Sequence, residues 1–204
     1  DDTTPDVDDS SWANQATDPQ EVARVAGAGG IWFTGGDQAR LTDTLLMADG
    51  SDTPLLAMLR QRLSQGSVIG GSSAGAAIMS TVMIARGDSL TALLEEPLGA
   101  DVDASRMESG ALVTTTGLGF FPFGVVDQHF DRRARLGRLA RTLAVSGETQ
   151  GFGMDEDTAL VVDLANQTLT ALGSGSVTWL DASGLEAGTI NGRFQALGLR
   201  LSVL

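Results

Sequence analysis

Residues 68–77, VIGGSSAGAA, constrain the fold of this chain more than any other stretch. A short apolar run meets glycines and two serines and then a string of small helix-forming residues, which predicts a strand, a sharp turn and a helix. Such a turn forces its central residue into a strained backbone conformation that lifts the side chain clear of the sheet, and glycines flank it where a Cβ would clash. Gly71, Ser73 and Gly75 spell GxSxG. With Ala74, Ala76 and Ala77 behind it, the helix can begin close to Ser73, so that backbone N–H groups face a developing oxyanion. Gly/Ser/Ala turns of this kind also occur without any chemistry, so the rest of the chain has to decide.

Composition narrows the partners. The 204 residues, 42% of them hydrophobic, suit one well-buried domain spanning 1–204, with an acidic, Ser/Thr-rich, aperiodic approach over 1–17. A net charge of −13 argues against nucleic acid or an anionic membrane as partner, and no apolar run reaches the ~18 residues that span a bilayer. All 13 basic residues are arginine, and the absence of cysteine removes disulfides, thiol nucleophiles and Cys-based metal sites. Compartment stays open. No leader is visible, which points to the cytoplasm, but Asp1 is not an initiator methionine, so secretion also remains on the table.

Along the chain, Asp18, Pro19 and Glu21 give a cap, an N1 proline and a capping-box acid, so a helix is expected from 19 to about 28, stopped by Gly29 and Gly30. Residues 31–34 read as a buried strand that runs into Gly35, Gly36, Asp37 and Gln38, the kind of sheet edge where α/β folds hold ligands. Helices follow over about 38–47 and 54–64, with a short one over about 90–95 and a weak strand over 111–115. A strand at 125–126 leads into Asp127, Gln128 and His129. The arginine-rich segment after it is expected to be helical, with Leu136, Leu139, Ala140 and Leu143 on the core face. Residues 151–154 read as another buried strand, followed by strands at 159–162, 169–172, 177–180 and 194–204. The order favours an α/β fold: a mostly parallel central sheet with helices on both faces, and a β-rich C-terminal extension.

A serine hydroxyl is a poor nucleophile until a neighbour takes its proton, and the usual neighbour is an imidazole held by a carboxylate. The chain has a single histidine, so any Ser-His mechanism must use His129. Glu156 at the end of the next strand is the natural third member, with Asp155 and Asp157 as rivals. The order Ser, His, acid is not that of α/β-hydrolases. Arg132 and Arg141 are expected to pair with surface carboxylates, whereas Arg135 and Arg138, three apart and within reach of His129, suit a substrate with free carboxylates.

Four segments together resemble the cyanophycinase and aspartyl dipeptidase family of serine peptidases: FTGGDQARL (33–41), GGSSAGAA (70–77), DQHFDRRARLGRL (127–139) and GFGMDEDTALVV (151–162). The resemblance is strongest to the cyanophycinase branch. It implies a class I glutamine amidotransferase-like (flavodoxin-like) sheet, Ser73 as nucleophile, His129 as base and Glu156 as orienting acid. It also implies oxyanion donors at Gly36 and Ala74, and a substrate pocket built from Gln38, Asp127, Gln128, Arg133, Arg135 and Arg138. The implied reaction needs no metal or cofactor. Its substrate is cyanophycin, a poly-aspartate backbone with an arginine on each side chain, cut from the end into β-Asp-Arg dipeptides. A dipeptidase or isopeptidase for other aspartyl peptides, and a binding relative without activity, are the alternatives, and a homodimer is allowed. Two departures stand out. The family's opening strand-helix unit has no counterpart here, and Ser72 replaces the threonine that often precedes the nucleophile.

Overall fold

The computed structural model describes residues 12–94 and 109–204; most of the acidic approach and part of the segment after the short helix lie outside them. Residues Trp12–Thr17 form a 3-10 turn leading into α1 (Pro19–Ala26), whose Asp18 cap accepts the Gln20 N–H and which stops at Gly27, slightly short of the expected end. Strand β1 (Gly30–Phe33) is followed by α2 (Gln38–Leu45), capped by Asp37, and α3 (Pro54–Ser64), capped by Thr53. Strand β2 (Val68–Gly71) runs through the serine turn into α4 (Ala74–Ala77), a single turn of helix and far shorter than its alanine-rich sequence suggests.

Strand β3 (Val82–Arg86) had no expectation attached, and α5 (Ser89–Leu94) and β4 (Val113–Thr116) complete that region. Strand β5 (Val125–Asp127), helix α6 (Leu136–Ser146) and β6 (Gln150–Met154) carry the second half of the site. Residues 132–135, expected to be helical, form a turn before α6, and Leu136 is 44% exposed while Leu139 and Leu143 are buried. The tail is β7 (Thr158–Asp163), β8 (Thr168–Gly173), β9 (Val177–Asp181), β10 (Glu186–Ile190), β11 (Arg193–Leu197) and β12 (Arg200–Val203); the single strand expected over 194–204 is broken at Gly198, and β10 had no expectation attached.

The fold is mixed α/β, but less parallel than the element order suggested. Among the described residues β1 pairs parallel with β2 and β5 with β6, while every other ladder is antiparallel. The largest sheet runs β12-β9-β6-β5, so antiparallel tail strands occupy one side of the β5–β6 pair. The β1–β2 pair is also not buried on both faces: Trp32 is 65% and Val68 69% exposed. Helices nonetheless cover both sides of β3. Met83 packs with Leu45, Leu56, Leu59 and Ile78 from α2, α3 and the end of the serine turn. Its neighbour Ile84 points the other way, into Ala92, Leu139 and Leu143 of α5 and α6.

Two parallel pairs in register explain why the site forms where it does. Phe33 lies opposite Gly71, and the ladder continues with Ser72 N–H donating to the Phe33 carbonyl at 3.0 Å, so the Gly35–Gly36 turn and the serine turn leave the sheet side by side. Asp127 lies opposite Gly153, and Phe130 N–H donates to the Met154 carbonyl, so the residues after β5 and β6 also emerge together. The buried Ser80 hydroxyl accepts the Val126 N–H at 2.6 Å and ties the serine segment to β5.

Candidate active site

Ser73 has φ 54° and ψ −117°, a conformation that non-glycine residues adopt only under constraint. The constraint is the close passage of the flanking glycines. A Cβ on Gly71 would come within 2.3 Å of the Gly75 carbonyl oxygen, and one on Gly75 within 2.2 Å of the Phe33 carbonyl oxygen. Ser73 stands at the cap position of α4, yet its hydroxyl caps nothing. Its Oγ instead lies 3.0 Å from His129 Nε2. Ser72, the rival serine, makes backbone bonds only, to Phe33 and Gly75.

His129 is held in turn. It has φ 49°, and the next residue, Phe130, folds back so that its ring occupies the space a Cβ on Gly153 would need. The imidazole Nδ1 lies 2.9 Å from Glu156 Oε1, while Glu156 Oε2 lies 3.5 Å from Arg132 Nε. In the productive tautomer Nδ1–H donates to the carboxylate and the bare Nε2 accepts the serine proton. Asp155 is turned elsewhere, accepting the Ser176 N–H at 3.0 Å, and Asp157 makes no described contact with the imidazole. The single histidine, one serine of two and one acid of three therefore stand in line, at an open edge where His129 is 24% and Glu156 44% exposed.

Gly36 and Ala74 are the expected oxyanion donors. Gly35 is close enough that a Cβ there would meet Ser73 Cβ at 3.2 Å, and Gly36 has φ 138°, reserved for glycine although its surroundings are open. Neither Gly36 N–H nor Ala74 N–H has an acceptor among the described hydrogen bonds, so both can donate to an oxyanion. With only one turn of helix behind Ser73, a helix dipole contributes little there.

The other expected pocket residues divide by burial. Asp127 and Arg138 form a bidentate ion pair, Nε to Oδ2 at 2.8 Å and NH2 to Oδ1 at 2.5 Å, with side chains 1% and 2% exposed. Arg138 also donates to the Gly87 carbonyl, and Arg135 donates to both the carbonyl and the side-chain oxygen of Gln128. Gln38 is buried, its amide donating to the carbonyls of Ile84 and Ala85 at 3.2 and 2.6 Å. These five residues are buried and bonded to one another or to the backbone of residues 84–87 and 128. Arg133 alone of the three pocket arginines is exposed, its N–H bonded to the His129 carbonyl. Sequence reasoning passed over Arg86, a lone arginine that closes the apolar run VMIA; Arg132 pairs with an exposed carboxylate as expected, that of Glu156, whereas Arg141, expected at the surface, is buried with its guanidinium over the Phe194 ring. No group of three or more His, Asp or Glu among the described residues can hold a metal ion, and no described helix is long and apolar enough to cross a membrane.

The model of peptidase family S51 matches residues 11–170. A cyanophycinase of Synechococcus elongatus is 40% identical over 167 residues, covering 81% of this chain and 46% of that protein. A cyanophycinase of Nostoc sp. is 40% identical over 172 residues, 84% of this chain and 51% of its own length. The chain thus spans about half the length of the curated relatives it matches. The crystal structure of a peptidase from an acI-B1 Actinobacterium superposes with a TM-score of 0.60 at 25% identity, covering 89% of this chain and 62% of that one.

Proposed function

We propose that this chain, which belongs to peptidase family S51, is the catalytic part of a serine exopeptidase acting on cyanophycin or a closely similar aspartyl polymer. The observation that carries the reading is the line Ser73 Oγ, His129 Nε2, Glu156 Oε1, at 3.0 and 2.9 Å, ending on a serine at φ 54°. In the proposed reaction His129 removes the Ser73 proton as Oγ attacks the scissile carbonyl, and the N–H groups of Gly36 and Ala74 receive the oxyanion. The imidazolium, steadied by Glu156, then protonates the departing amine, and water resolves the acyl-enzyme by the same route in reverse. Cyanophycinase relatives 40% identical over four-fifths of the chain support the polymer substrate, and β-Asp-Arg is the product proposed for it. The clustering of Ser73, Gly36, His129 and Glu156 beyond the carboxyl ends of β1, β2, β5 and β6 supports the glutamine amidotransferase-like arrangement of the sheet.

A second reading, an isopeptidase for shorter aspartyl peptides, draws on the burial of Arg135 and Arg138, which leaves Arg133 as the exposed member of the three arginines expected in the pocket. Incubation with purified cyanophycin separates the two. Release of β-Asp-Arg that disappears with Ser73→Ala supports the first; cleavage of short aspartyl dipeptides with the polymer untouched supports the second. No turnover of either, together with no labelling of Ser73 by a fluorophosphonate probe, overturns both.

A further inference from the structure

Arg86, at the end of β3, is 9% exposed, and its Nε has no hydrogen-bond partner. No ion pair or hydrogen bond engages its guanidinium among the described residues. Asp127, a buried carboxylate, is already spent on Arg138 through both oxygens. A buried guanidinium without a counter-charge is costly, so its retention calls for an anion that arrives from outside.

The backbone shows where this cation is aimed. Ile84 lies opposite Thr114 but Arg86 lies opposite Val113, so a one-residue bulge interrupts the β3–β4 ladder. Residues directly opposite each other share a face, and Val113 is two residues from Thr115, the partner of Met83. The bulge therefore turns Arg86 onto the Met83 face, the side that packs against α2 and the Ser73 helix, rather than the Ile84 face against α6. Gln38, three residues beyond Gly35, seals the carbonyls of Ile84 and Ala85 in that bulge. On the other side Gly87, at φ 112°, has its carbonyl held by Arg138. The bulge that carries Arg86 is thus held on one side by Gln38, which follows the Gly35–Gly36 turn, and on the other by Arg138, the ion-pair partner of Asp127 two residues before His129.

We propose that Arg86 is a substrate-carboxylate receptor of the Ser73 site, its fork taking the free α-carboxylate of the residue that is amide-linked to the substrate's aspartyl side chain. The inference rests on the peptidase reading above and adds to it the residue that selects for a free acid. A planar guanidinium with an open Nε edge fits a carboxylate bidentately and gives a carboxamide no charge to meet.

The test uses isopeptide-linked Asp-Arg oligomers whose arginine is either the free acid or the α-carboxamide. Wild type should favour the acid in kcat/KM by about 100-fold or more, and Arg86→Met should cut the acid rate to about the level of the amide, with Arg86→Lys recovering part of the preference. An acid-to-amide ratio unchanged in Arg86→Met, in protein whose circular dichroism and Tm match wild type, overturns the inference and leaves the peptidase reading standing. The second arm is calorimetry of β-Asp-Arg on Ser73→Ala protein, where adding Arg86→Met should weaken Kd by about 20-fold or more. If wild type cleaves neither oligomer the peptidase reading fails. The calorimetry then decides Arg86 alone: carboxylate-dependent binding lost in Arg86→Met sustains the receptor, and absent or unaltered binding overturns it.

Discussion

Asp127→Ala tests whether the buried arginines brace the site or touch substrate. Asp127 accepts two charge-assisted bonds from Arg138, lies 3.4 Å from Arg135 NH1 and accepts the Gln128 N–H at 3.0 Å. Removing it leaves the Arg138 guanidinium, its side chain 2% exposed, with only the Gly87 carbonyl as described partner. Breaking a buried pair from one side costs about 3–5 kcal/mol, because the surviving charge cannot be rehydrated. For a chain of this size that is about 6–20 °C in Tm. Asp127→Leu combined with Arg138→Met removes both charges and should recover most of the loss. Urea and thermal unfolding followed by circular dichroism supply the stability figures, and steady-state kinetics at a temperature where the variant is folded supply the rest. Since Asp127 stands two residues before His129, the residual folded enzyme should lose kcat more than substrate affinity. A Tm within 2 °C of wild type together with a raised KM would refute the bracing role and return Asp127 and Arg138 to the substrate pocket.

Three further outcomes follow from the same geometry. Glu156→Gln should lower kcat by about 10²–10⁴ with Tm unchanged, because an amide NH₂ facing Nδ1 favours the tautomer that protonates Nε2; kcat within tenfold of wild type would remove Glu156 from the triad. Ser73→Gly should abolish turnover and raise stability by about 1–2 kcal/mol, since glycine accepts the φ 54° turn without strain; a lower urea midpoint would show that the turn is not strained. Partial burial pushes the Asp88 carboxyl up, but the backbone N–H and hydroxyl of Thr91 and the Gly110 N–H outweigh it and hold it below the ordinary carboxylate range. That stabilisation is present above the unfolded carboxylate's pKa and lost as pH falls through the depressed folded one, so Asp88→Ala should cost about 1 kcal/mol near neutrality and nothing in strong acid; equal urea midpoints at pH 7 would contradict it.

Much of the site was legible because its determinants are local. The cap residues Asp18, Asp37 and Thr53 announce their helices, and GxSxG dictates a turn whose strain can be inferred from the sterics of Gly71 and Gly75 alone. A single histidine leaves no choice of base. GxSxG centres on Ser73 and the strand end favours Glu156, but the rivals Ser72, Asp155 and Asp157 stay open until the family resemblance is added, because one step along the chain swings a side chain to another side of the turn. Element order was a poorer guide to pairing. It suggested a mostly parallel sheet, but β9 and β12 close antiparallel onto β6 through contacts that no local pattern encodes.

The arginines show the limit most sharply. A guanidinium looks the same in sequence whether it lies on a floor or at a mouth, and only burial separates Arg138 from Arg133. Arg86 was missed for a stricter reason. Alternation along VMIAR puts Ile84 and Arg86 on the same face, toward the hydrophobic layer of α5 and α6, where an arginine would have no function. The bulge reverses that parity, and a bulge depends on how β3 meets β4 and on Gln38 satisfying the carbonyls it frees. The orientation of Arg86 is thus set by a glutamine 48 residues earlier in the chain. Replacing Gln38 should accordingly disturb free-acid selectivity through the bulge, even though its own amide is spent on the backbone.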